Sequence, residues 1–347
     1  MIANDTIRIG LVGAGANTTL RHIPGFKAIP NVEIISVANR TRESGQHVAN
    51  KYQIPKVYDN WDDLIAAPDT DAICIGTWPY MHRTIVLSAL LHDKHVLTEA
   101  RMAMNASEAH TMLEASRQKP NLVTQIVPAP HTLKVDSTIK DLITEGFLGD
   151  LLSVDLAVHQ GGFVDYDAPF HWRNNSDFSG YNTMQMGIWY EALMRWMGPA
   201  SSVSSMTRVH VKNRRDDNDK HQIITIPDHV EILCEMACGP ILHMRFSGIT
   251  GLSPEDQVWL FGTEGTLRLD VATMTLYGGR RSDDQLSKIE ISNENQSDWR
   301  VEEEFINAIR GTEPVTHTTF EIGVKYMEFT EAVLRSAQSG KIVHLPL

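Results

Sequence analysis

The chain has 347 residues, of which 42% are hydrophobic, 21% charged and 7% aromatic; this is more folded material than one ordinary domain holds and excludes disordered, collagen-like and coiled-coil classes. Its 31 basic and 43 acidic residues give a formal charge of −12, which disfavours nucleic acid as a partner. No run reaches the roughly 18 apolar residues of a membrane span, and Met1-Ile2-Ala3-Asn4-Asp5 lacks the basic-then-apolar order of a leader, so a cytoplasmic protein with no membrane partner is expected.

Along the first third, β-rich runs alternate with amphipathic stretches. Ile7 to Val12, Val32 to Ala38, Ala72 to Ile75, His95 to Thr98 and Leu122 to Val127 read as strands, with helices such as Met81 to Leu91 and Ser107 to Arg117 between them. That alternation predicts a parallel sheet covered on both faces. Val127-Pro128-Ala129-Pro130 reads as a hinge. Beyond it, Leu151 to His159, His229 to Ala237, Ile241 to Ser247, Val258 to Phe261 and Leu267 to Val271 alternate with period two, and a last helix is placed at Phe320 to Ser339. The expected architecture is an N-terminal Rossmann domain over residues 1–127. A C-terminal α+β domain with a large open, mostly antiparallel sheet follows over 128–347. Cys74, Cys234 and Cys238 read as reduced core or strand residues, and Cys234-x3-Cys238 has no second pair to complete a zinc site.

Directly after the first strand comes Gly13-Ala14-Gly15-Ala16-Asn17-Thr18, close to the dinucleotide fingerprint. The first glycine makes the turn, the second admits the pyrophosphate, and the helix start stabilises the anion. Thr18 replaces the third glycine, which predicts looser helix–strand packing. After the second strand stand Asn39-Arg40-Thr41-Arg42 in place of the acidic residue that would bond a ribose 2′-hydroxyl. An uncharged Asn39 and a cationic Arg40 favour a 2′-phosphate, hence NADP over NAD; alternatively, Arg40 and Arg42 are solvated charges opening the next helix.

Gly13-x-Gly15-x-x-Thr18-x-x-x-His22, Thr77-Trp78-Pro79-Tyr80-Met81-His82, Val96-Leu97-Thr98-Glu99 and Gly262-Thr263-Glu264-Gly265-Thr266-Leu267 together resemble the Gfo/Idh/MocA family, named after glucose–fructose oxidoreductase and inositol dehydrogenase. The resemblance implies hydride chemistry on sugars, polyols or related hydroxyl compounds. It also implies a homodimer or homotetramer paired through the open sheet, and a cofactor site that includes Asn17, Thr77, Trp78, His82 and Glu99. His22 and His82 are assigned to positioning.

The family's Glu-Lys-Pro is here Glu99-Ala100-Arg101, and its Asp-x-Gly-x-His-x-x-Asp is Gln185-Met186-Gly187-Ile188-Trp189-Tyr190-Glu191-Ala192. The usual lysine, aspartate and histidine are therefore absent, although oxidising a carbinol needs a proton acceptor. Gln185 and Trp189, four apart on a predicted helix, are expected to share a face and bind substrate; packing is the alternative for Trp189 and the expectation for Tyr190 and Trp196. The loop Gly161 to Arg173 offers His171 as the acid or base, Arg173 as a substrate contact, and Tyr166 or, further on, Tyr181 as a relay. Arg101, expected near the nicotinamide, suits a carboxylate or carbonyl but is a poor base. Lys134 is a weak substitute for the missing lysine, and Lys140 reads as structural or solvated. His229 and Glu231 pair without a third ligand, so no metal is expected. The ligand is expected between the domains, against 99–101 on one side and 185 and 189 on the other. Three functions compete: an NADP-dependent oxidoreductase, a redox-neutral lyase or hydrolase of glycosides that uses the cofactor transiently, and a non-catalytic nucleotide-binding regulator.

Overall fold

The computed structural model describes residues 6–160 and 162–347; the readings of Met1–Asp5 and of Gly161 lie outside the described residues. The chain forms two compact units. One runs through Pro128 and regains Arg300–Val324; the other comprises Ala129–Trp299 and Lys325–Leu347. A single boundary at 127/128 does not represent the return of 300–324.

The first unit contains β1 (Ile7–Val12), β2 (Val32–Ala38), β3 (Lys56–Tyr58), β4 (Ala72–Ile75), β5 (His95–Thr98) and β6 (Thr124–Ile126). They are hydrogen-bonded in the order β3-β2-β1-β4-β5-β6, all parallel. The central strands read as continuous apolar runs because helices cover both faces; Ile9, Leu11, Ile73, Ile75, Val96 and Leu97 are buried. β3, only three residues long, is too short to show a period. β6 is shorter than the predicted Leu122–Val127, and the returning segment ties it down: Ile126 N–H donates to the Thr318 carbonyl at 3.0 Å, and buried Gln125 Nε2 donates to Glu304 at 2.9 Å. Side-chain caps start the helices at Arg42–Tyr52, Trp61–Ala66 and Ala106–Arg117, where Thr41, Asn60 and Asn105 accept backbone N–H groups.

The second unit contains β7 (Leu151–His159), β8 (Ala200–Arg208), β9 (Asn213–Arg215), β10 (His221–Ile223), β11 (His229–Met236), β12 (Ile241–Ser247), β13 (Gln257–Gly262), β14 (Gly265–Asp270), β15 (Thr275–Arg280), β16 (Ser287–Lys288) and β17 (Val343–His344). Nine of them form one sheet, β16-β15-β14-β13-β7-β12-β11-β8-β17, in which only β7 and β12 pair parallel; β9 and β10 form a separate hairpin. The period-two pattern sorts the faces. Val154, Leu156, Val230, Ile232, Leu242, Met244, Val258 and Leu260 are buried, whereas Met206, Leu233 and Ile241 on the other face are exposed.

The Gly262–Gly265 motif has a packing cause. A Cβ on Gly262 would collide with the Leu148 carbonyl, and one on Gly265 would stand 2.5 Å from the Phe147 carbonyl. Cys74 and Cys234 are buried in strands as expected, but Cys238 is exposed in the β11–β12 turn and is not a core residue.

Candidate functional site

The glycine turn separates two requirements. Gly13 has φ +84°, and a Cβ there would lie 2.8 Å from Thr77, so the fold itself demands glycine. A Cβ on Gly15 would meet only the Gly76 carbonyl at 3.6 Å. No protein atom demands glycine at 15, and the space its side chain would take is open, as a dinucleotide pyrophosphate requires. Thr18 corrects the expectation of loose packing: it is buried, its hydroxyl donates to the Gly13 carbonyl at 3.1 Å, and a Cβ on Gly76 would collide with both. Asn39 braces the turn by accepting the Ala14 N–H at 2.7 Å. Arg42 pairs with Asp59 at 2.7 Å, whereas Arg40 is exposed, with its guanidinium 5.9 Å from the Trp78 ring centroid. The ribose end of the turn therefore presents a cation with no carboxylate partner among the described residues.

At the carboxyl end of β5, Glu99 accepts from Asn17 Nδ2 at 2.5 Å and from His22 Nε2 at 3.0 Å, while His22 Nδ1 meets Glu302 at 2.5 Å. Burial alone would lower His22, but the hydrogen bonds to Glu302 and then Glu99 outweigh it and raise the ring to about 9. Burial would likewise raise Glu99, yet bonding to His22 and Asn17 brings it below the usual carboxylate range. His22 is thus an imidazolium that pins the helix after the glycine turn to Glu99. Burial depresses His82. Its ring nitrogens lie 3.0 Å from the Thr77 carbonyl and 3.1 Å from that of Arg101, bridging the two loops. The Ala100–Arg101 peptide is cis, and the Arg101 side chain is buried.

In the second unit, Gln185 is the N-cap residue of the helix Met186–Met197, and its carbonyl accepts the Trp189 N–H at 3.0 Å. Trp189 is buried, stacks on His131 with centroids 5.5 Å apart and planes 22° apart, and its indole Nε1 has no partner among the described residues. Tyr190 and Trp196 pack as expected, Tyr190 stacking on Phe329 and Trp196 Nε1 donating to Asp136 at 2.6 Å. His171 caps the short turn Trp172–Asn174, its Nδ1 accepting the Arg173 N–H at 3.2 Å; burial and Arg173 lower its pKa. Arg173 lies over the Trp172 ring at 4.2 Å, and Tyr181 is exposed. Lys134 and Lys140 are exposed on the helix Leu133–Thr144. His229 and Glu231 stand 3.5 Å apart, and no cluster of three metal-ligating side chains occurs among the described residues.

Sequence reasoning missed four participants. His131 follows the Pro128-Ala129-Pro130 hinge with no motif around it. Glu302 lies 280 residues from its partner His22. Asp136 and Arg195, bonded at 2.8 Å, hold the segment bearing His131 to the helix bearing Trp189. An acidic residue at a buried helical position, four places after Thr132, was the available signal for Asp136.

The sequence pattern of the Gfo/Idh/MocA oxidoreductase family, NAD-binding Rossmann fold, matches residues 7–126, and that of the Gfo/Idh/MocA C-terminal domain matches residues 137–268. The chain belongs to the Gfo/Idh/MocA family. It is an oxidoreductase, and the family acts on CH–OH groups with NAD(P). An uncharacterized oxidoreductase of Synechocystis sp. is 22% identical over 277 residues, 78% of this chain and 73% of that protein. Trans-1,2-dihydrobenzene-1,2-diol dehydrogenase of Bos taurus is 29% identical over 150 residues, 42% of each. Among solved structures, levoglucosan dehydrogenase in complex with NADH and L-sorbose superposes with a TM-score of 0.86 at 19% identity, covering 98% of this chain and 99% of that one. The parallel sheet and the large second sheet are the fold of this family. No helix among the described residues is long and apolar enough to cross a membrane.

Proposed function

We propose that the protein is an NADP-preferring dehydrogenase of a sugar, cyclic polyol or related hydroxyl compound. The observation that carries the cofactor reading is the pairing of an open cradle at Gly15 with Arg40 beside Trp78, next to an uncharged Asn39 where an acidic residue would repel a 2′-phosphate. Gly13, Gly15 and Asn17 would hold the pyrophosphate side, Asn39, Arg40, Thr77 and Trp78 the ribose and adenine side, and Glu99 and His82 shape the loops at the strand ends. When bound, the oxidised nicotinamide supplies the hydride acceptor. Gln185, with Trp189 packed beside it, is the proposed substrate contact of the second unit: its amide suits a ring hydroxyl. The substrate class is supported by the names of two relatives, a dihydrodiol dehydrogenase and levoglucosan dehydrogenase.

The test is reduced-nicotinamide absorbance with levoglucosan, trans-1,2-dihydrobenzene-1,2-diol and a cyclic-polyol panel, each with NADP and NAD. Arg40→Ala should weaken NADP at least about tenfold more than NAD, or about 1.4 kcal/mol of differential binding. Equal losses, or tighter binding of NAD by the parent protein, would overturn the NADP preference.

A further inference from the structure

Ala100, Gln185 and Trp189 offer no side chain that titrates near neutral pH, and His171 uses one ring nitrogen in a local cap. One imidazole does lie against the Gln185–Trp189 helix. His131 is half-buried and stacked on Trp189, and neither of its ring nitrogens bonds a described residue. Next to it, the buried Trp189 Nε1 is also unbonded, although a buried indole N–H ordinarily finds an acceptor. The indole is enclosed, whereas the half-buried, unbonded imidazole stacked on it is open to a polar ligand.

A buried network fixes the position of this pair. Arg195 Nη2 donates to the Ala129 carbonyl at 3.0 Å and to Thr132 Oγ1 at 2.9 Å, its Nε to Asp136 at 2.8 Å, and its Nη1 to Glu191 at 3.1 Å. Glu191 in turn accepts the Ala129 N–H at 3.0 Å. The residues flanking His131 are thereby clamped to the helix that carries Trp189, so the imidazole is preorganised. Arg195, Glu191 and Asp136 are the charged groups packed around this segment, and Arg195 is spanned by both carboxylates.

Building on the dehydrogenase reading, we infer that His131 is the catalytic acid–base group, which exchanges the substrate's hydroxyl proton while Trp189, stacked on it, holds the imidazole in place. In the oxidising direction the carbinol C–H bond breaks and its hydride leaves to the nicotinamide. The O–H proton passes to the free nitrogen of His131 as C–O becomes C=O, and the imidazolium then releases it to water. Burial, and then the Arg195 charge, hold His131 below the ordinary imidazole range, so the ring is neutral and able to accept.

The experiment compares the parent with His131→Gln and His131→Ala, with NADP and with levoglucosan and trans-1,2-dihydrobenzene-1,2-diol as probes. The parent's kcat/KM should rise with pH through a limb below 6.5. Both variants should lose roughly a hundredfold in kcat and lose that limb, with KM changed by less than about threefold. Free imidazole should restore part of the activity to His131→Ala but not to His131→Gln. Ring-labelled histidine NMR of the parent, which depends on no variant folding, should show one imidazole titrating below 6.5 that shifts when a probe is added. Turnover by the parent with both variants keeping its kcat and limb overturns the assignment of His131 alone. So does a parent spectrum in which no imidazole responds to either probe. Turnover of neither probe by the parent overturns the dehydrogenase reading, and this assignment with it.

Discussion

His22 is buried between two carboxylates. Glu302 and Glu99 raise it to about 9 in the folded protein, against an unfolded value near 6.5, so folding takes up a proton. Its stabilising contribution is fully present below pH 6.5 and is lost as pH rises through 9. Glu99 runs the other way: its folded value is depressed, so its contribution is present above its unfolded value of 4.5 and is lost as pH falls below it. His22→Gln leaves two buried carboxylates without their cation and should cost about 3 kcal/mol near neutral pH. Calorimetry between pH 7 and 10 should show the parent losing thermal stability while the variant, already weakened, changes less. Parallel pH slopes in the two proteins would rule out His22 as the titrating group.

Elements built from contiguous residues were legible in the sequence. Strands β1, β2, β4 and β5 follow from apolar runs between turn residues, and the glycine turn and Arg40 lie within two short stretches of chain. Pairings across the chain were not legible: no local pattern signals that Glu302 bonds His22 or that Thr318 pairs with the end of β6, because segment 300–324 returns only in three dimensions. Nor does a fingerprint rule anticipate that Thr18 replaces a glycine by stapling the turn with its hydroxyl. The turn nevertheless yields a sharp contrast between two of its glycines. Gly15→Ala meets ordinary contact distances and should leave the melting temperature within a degree or two, a change of about 0.5 kcal/mol. It should still cut NADP affinity at least tenfold, a loss of about 1.4 kcal/mol, by filling the pyrophosphate space. Gly76→Ala forces a Cβ into the Gly13 carbonyl and the Thr18 hydroxyl and should lower the melting temperature by several degrees, as expected for roughly 1–3 kcal/mol of overpacking. Thermal unfolding and fluorescence titration with NADP check both; undiminished cofactor binding by Gly15→Ala would remove the pyrophosphate from that position.

For the whole molecule, the open face of the nine-stranded sheet is the surface that an isolated chain leaves without an explanation. Across β8, β11 and β12 it exposes Met206, Leu233 and Ile241, each more than two fifths accessible. Across β13 to β15 the Arg268 guanidinium lies over Trp259 at 5.4 Å and over Tyr277 at 4.4 Å, with Phe261 stacked on Trp259. Between these patches Glu231 bonds Arg245 at 2.6 Å and His243 at 3.1 Å. Exposed aliphatics alongside Trp, Tyr and Arg are the composition of an interface centre, and sheet residues on a flat face can be self-complementary about a two-fold axis. We propose that a second copy of the chain covers this face, giving a homodimer or homotetramer. Light scattering at micromolar concentration should find the parent oligomeric, and Met206→Arg with Leu233→Arg should shift it toward monomer. Both side chains point into solvent in the single chain, so the double variant should keep its far-ultraviolet dichroism; an added charge there costs association and not folding. A monomeric parent, or an oligomer indifferent to both arginines, would place the contact elsewhere.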